Sequence, residues 1–96
     1  MKLYHWNFEK NEKLIRERGV CFEEVVLVIE KEKVLDVVGH PNAGKYGGQK
    51  MYVVELNNYV YLVPFVEDKE TVFLKTIIPS RKATKKYLRR AKDENA

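Results

Sequence analysis

The chain has a single cysteine, Cys21, so no internal disulfide can brace it. Long hydrophobic runs are missing as well. The longest apolar stretches, such as Val25–Ile29, hold five residues, far below the roughly 20 that a membrane-spanning helix needs. The opening M-K-L-Y-H-W-N-F-E-K lacks the apolar core of a signal sequence. These absences lead us to expect a cytoplasmic, reduced protein with no membrane partner. Histidine is scarce: His5 and His40 lie far apart, and with one cysteine they do not compose a zinc site. Glycine is scarce outside one stretch, since four of the five glycines fall between Gly39 and Gly48. The G-K-Y-G-G within it lacks the pattern of a phosphate loop. There is no Ser-His-Asp set, no internal repeat and no low-complexity tract. No cofactor is expected.

What is present supports one small globular domain spanning residues 1–96. At 96 residues and 45% hydrophobic content, roughly two-thirds of the unfolded surface can be buried, enough for a modest core. A charged fraction of 33% places that core under a heavily charged shell. The charge is unevenly placed. Residues 1–74 carry 10 basic and 12 acidic side chains, whereas Lys75–Lys92 carries eight basic ones and no acid. Positive charge concentrated in one segment implies an anionic partner there, with RNA, an acidic protein or solvent alone as the choices.

The pattern along the chain predicts an α+β fold. Lys2–Trp6 reads as a short strand. Asn7 is a helix cap, and Phe8–Arg18 reads as a helix with Phe8, Leu14 and Ile15 on its apolar side and Gly19 as its stop. Phe22, Val25, Val26 and Ile29 follow helical spacing, which predicts a second helix over Phe22–Lys31; the β-branched content leaves a strand possible. Val34–Val38 reads as a strand and Gly39–Gly48 as a loop. Three strands follow, Gln49–Leu56, Tyr59–Val66 and Thr71–Ile78, the first two joined by a type I′ turn at Asn57-Asn58. Pro64 has no N–H to donate, so a bulge or break is expected there. Ser80 caps a basic helix that runs to about Ala91. The expected architecture is two N-terminal helices on a mainly antiparallel sheet of three to five strands, with a short C-terminal helix.

Two segments carry a family resemblance. Trp6-Asn7-Phe8-Glu9-Lys10-Asn11 followed by Glu17-Arg18-Gly19-Val20-Cys21-Phe22-Glu23-Glu24 resembles the W-[DN]-x-x-K-N and H-G-V-S-F-E-E segments of the BrnT family of bacterial toxins. Ile77-Ile78-Pro79-Ser80-Arg81-Lys82-Ala83-Thr84-Lys85 resembles its I-I-S-A-R-K-A-T segment. The chain departs from the pattern at Arg18, where the family has histidine, and at Val66–Glu70, an acidic turn where the family often has an arginine-bearing one. The resemblance covers about 60 residues. It implies a RelE-like fold, ribonuclease activity without a metal or organic cofactor, and a cognate antitoxin protein as partner, with which the chain can oligomerise.

Metal-free RNA cleavage needs acid–base groups and fixed positive charge at the phosphorane. The candidate catalytic residues are Arg81, for phosphate; His40, as a general acid if its loop folds over the sheet; and Lys50. Arg81 pairing with a sheet carboxylate such as Glu55 is the structural alternative. Lys75, Lys82, Lys85, Lys86, Arg89 and Arg90 are candidates for RNA backbone contact, with Lys85 and Arg89 stacked at i, i+4. Phe73, Lys75 and Ile77 are expected on one strand face. Tyr87 is a candidate for base stacking or proton donation, or packs with Leu88 on the sheet. The expected function is that of a toxin-type endoribonuclease. The alternative is a non-catalytic RNA-binding or protein-interaction module on the same fold.

Overall fold

The computed structural model describes residues 2–39 and 49–89. Strand β1 (Leu3–His5) leads into helices α1 (Phe8–Arg18) and α2 (Phe22–Glu30). Strands β2 (Asp36–Gly39), β3 (Lys50–Leu56), β4 (Tyr59–Glu67), β5 (Thr71–Leu74) and β6 (Ile78–Pro79) follow. The last described element is a helix that is α-helical as α3 (Arg81–Thr84) and continues as a wider, π-helical turn over Lys85–Arg89. The class is therefore α+β, as the sequence pattern predicts. Among the described residues the strands form one mixed sheet in the order β1-β5-β4-β3-β2, with β6 also on β4. β1 runs parallel to β5; the other pairings are antiparallel.

Local signals fix most element ends. The Asn7 side chain accepts the Lys10 N–H at 2.9 Å, and Gly19 closes α1 at φ 67° with its N–H on the Ile15 carbonyl. Asn57 and Asn58 both take positive φ, 55° and 64°, as the tight β3–β4 hairpin requires.

Three readings are corrected. The apolar side of α1 is narrow: Leu14 is buried, but Phe8 is 72% and Ile15 46% exposed. The strand predicted over Thr71–Ile78 is split in two. Phe65 opposes Leu74 while Leu62 opposes Ile78, so two residues of β4 face three, Lys75 to Ile77. That extra residue is a bulge. Its position follows from Pro64. The Pro64 carbonyl accepts the Lys75 N–H at 2.8 Å, so the Pro64 nitrogen faces the same edge, where the missing donor breaks the ladder instead of weakening the β3 pairing. The third correction follows from the second. Beyond the bulge the side-chain alternation is reset, so Ile77 enters the core under α1 and α2, fully buried. It does not share a face with Phe73 and Lys75.

The sheet is covered on both faces. Leu14, Val20, Phe22 and Val25 pack on Val54, Leu56, Tyr61, Val63, Phe65, Val72 and Leu74. On the opposite face Ala83, Tyr87 and Leu88 cover Val53, Val60 and Leu62. This accounts for β4 reading as apolar throughout.

Asn11 is buried and polar, and it organises the α1–α2 corner. Its amide oxygen accepts the Phe22 N–H at 2.8 Å, and its NH₂ donates to Glu23 at 2.8 Å. It thus caps α2 from α1, because Cys21 at the N-cap position makes no side-chain cap bond. Asn11 holds the Glu23 carboxyl below its ordinary range. A depressed carboxyl contributes stability that is present above its unfolded pKa and lost as pH falls through the folded one. Asn11→Ala should therefore cost about 1–3 kcal/mol at neutral pH, mainly for the orphaned Phe22 N–H. The gap to wild type should narrow below about pH 4, as urea unfolding at several pH values would read.

Candidate functional site

Arg81 is held by clamps on its backbone neighbours. The Ser80 N–H donates to the Val60 carbonyl at 3.0 Å, and the Val60 N–H donates to Thr84 Oγ1 at 2.9 Å. These two bonds continue the β4 edge where β6 ends. Thr84 Oγ1 also donates to the Ser80 carbonyl at 2.7 Å, and the Ser80 hydroxyl accepts the Ala83 N–H at 3.0 Å. With Ala83 turned into the sheet, three residues of Ser80–Thr84 are committed to anchoring the helix. Arg81 and Lys82 are left exposed. No ion pair between Arg81 and Glu55 forms; among the described residues the sole ion pair is Lys2 with Glu67.

Lys85 and Lys86 are exposed along the same helix. From Lys85 the helix continues as a π-helical turn, and the predicted stacking of Lys85 with Arg89 falls on a side chain outside the described residues. The Arg89 side chain, Arg90 and His40 lie outside the described residues. Tyr87 is committed to structure: it packs on the sheet, and its hydroxyl donates to the Asp36 carboxylate of β2 at 2.8 Å. That bond raises the Tyr87 pKa and lowers that of Asp36. Tyr52, stacked on Phe65, is pushed by burial to about 12. Neither phenol is a base at neutral pH. Tyr87→Phe should move the Asp36 carboxyl back up toward its ordinary value, visible by carboxyl NMR titration.

The topology separates Lys50 from Arg81. Lys50 opposes Phe65, whereas Arg81 follows a segment bonded to Val60, about 16 Å away along β4. They also lie on opposite faces, because Lys50 shares the parity of Phe65, which faces α1 and α2. Lys50 and Arg81 therefore do not form one site.

No match was found to any protein-family model, curated protein or solved structure. The functional reading accordingly rests on the residues.

Lys75 stands with residues that the sequence pattern did not single out. Past the end of β1, an open cleft of about 580 Å³ separates the start of α1 from the β5–β6 bulge. Lys10, Lys13, Phe73 and Lys75 line it. The i, i+3 spacing of Lys10 and Lys13 was a usable signal for a shared helix face; their approach to Phe73 depends on the β1–β5 pairing. At the C-terminal end of α1, Arg18 donates to the Ile77 carbonyl of the bulge at 2.6 Å. Among the described residues, no group of three His, Cys, Asp or Glu side chains could hold a metal, and no helix is long and apolar enough to cross a membrane.

Proposed function

We propose that this chain is a BrnT-like toxin: a cytoplasmic, metal-independent endoribonuclease neutralised by a cognate antitoxin protein. The observation that carries the reading is the division of labour in Ser80–Thr84. Ser80, Ala83 and Thr84 are used to fix the helix to β4, and Arg81 and Lys82 project from that rigid base with no carboxylate partner among the described residues. A guanidinium so placed can grip a phosphodiester through two N–H donors and offset the charge that builds up at phosphorus. Lys82, Lys85 and Lys86 would hold the flanking backbone. The bond from Arg18 to Ile77 also joins the two segments that carry the family resemblance.

Cleavage of single-stranded RNA by the purified chain in excess EDTA tests the reading, together with growth arrest on induced expression. Cleavage unaffected by EDTA is expected. RNA that stays intact under these conditions, with growth unaltered, would reject a toxin and leave a non-catalytic RNA-binding module on the same fold.

A further inference from the structure

We infer that the cleft between α1 and the β5–β6 bulge is a second seat for single-stranded RNA, in which Lys10, Lys13 and Lys75 take backbone phosphates and Phe73 stacks a base. The inference rests on RNA being the ligand in the reading above, but not on catalysis. Three ammonium groups converge on one cleft against a single lining carboxylate, Glu9. None of the three makes an ion pair among the described residues. Like charges gathered without a counter-ion repel unless an external anion offsets them. Phe73 is 40% exposed at the cleft wall, an apolar ring that solvent alone does not favour. Point charges around an open aromatic face fit a single strand, where phosphates are gripped and bases stack without sequence demands.

The position extends the Arg81 surface. The cleft adjoins Val66, and Arg81 adjoins Val60, through their partners across β4, so the two seats lie about 20 Å apart along one strand. Between them the same sheet face shows Ile78 and Val66, 40% and 42% exposed. A strand of RNA laid from Arg81 to Phe73 would cover that apolar path, with phosphates caught at both ends.

The test is anisotropy of a labelled single-stranded RNA of about ten nucleotides, titrated with the full chain over a range of salt. Replacing Lys10, Lys13 and Lys75 by Gln should reduce the slope of log affinity against log salt by about 2, and Lys75→Gln alone by about 0.7. Phe73→Leu should weaken RNA binding roughly ten-fold while leaving affinity for inorganic polyphosphate unchanged. A triple variant with wild-type affinity and slope overturns the inference. So does a polyglutamate peptide that binds as tightly as RNA and is insensitive to Phe73→Leu, since the cleft would then serve an acidic protein. Wild-type RNA binding without cleavage would reject the ribonuclease and leave the cleft standing. An unchanged triple variant removes the cleft and leaves Arg81 unaffected.

Discussion

Arg81→Ala should lower the rate of RNA cleavage by about 10²–10³-fold, the usual loss when one preorganised donor to a developing oxyanion is removed. Growth arrest on induction should disappear with it. The effect should fall on the chemical step more than on binding, because one lost phosphate contact changes the salt slope for single-stranded RNA by only about 0.7. Folding should be nearly unaffected. Arg81 is exposed and makes no side-chain bond among the described residues, and such surface changes usually stay within about 0.5 kcal/mol. Arg81→Lys provides the graded control: it keeps the charge and loses the planar fork, so an intermediate rate is expected. If Arg81→Ala cleaves RNA at the wild-type rate, the phosphate-stabilising role is wrong. If it cleaves slowly because it is unfolded, the thermal melt will say so.

What the sequence discloses about this fold is its local chemistry. Asn7, Gly19, Asn57-Asn58 and Ser80 act through bonds or dihedrals within a few residues of themselves, so their roles were legible. Pro64 announced a fault in the ladder, but not which neighbour would carry it. That depended on which edge its nitrogen faces, and hence on strand order. The reset of alternation at the bulge then placed Ile77 in the core and left Lys75 outside. Asn11 was hidden for another reason. A polar residue at a helical position reads as solvated, and only the approach of α2 makes it a buried cap. The site divides in the same way. Arg81 could be placed from Ser80 alone, whereas separating Lys50 from Arg81 required the β3–β4 register. The cleft required the first strand of the chain to pair with the fifth, bringing Lys10 and Lys13 beside Phe73. No pattern within either segment encodes that.

Phe22→Ala should be the most destabilising single change, at about 3–5 kcal/mol. Phe22 is fully buried at the start of α2, and its ring stacks on half-buried Trp6 with centroids 5.7 Å apart. Truncation would empty a phenyl-sized volume between α2 and the sheet and remove the aromatic pair, worth about 0.5–1.5 kcal/mol beyond area burial. For 96 residues total stability should lie near 5–14 kcal/mol, so the loss is about a fifth of it or more. Urea denaturation should show the midpoint falling with the slope unchanged, and Trp6 fluorescence should report the loss of stacking directly. The contrast with Asn11→Ala is informative. Asn11 holds the backbone N–H of the same residue, so the two variants attack one corner by different means, hydrogen bonding and packing. Their effects should not add, because a loosened Phe22 ring lets the start of α2 shift and weakens the bond from Asn11. A double-mutant cycle should return a coupling of about 0.5–3 kcal/mol. Strict additivity would mean that the cap and the ring act independently, and that the Asn11 contact does not position the start of α2 from which Phe22 packs.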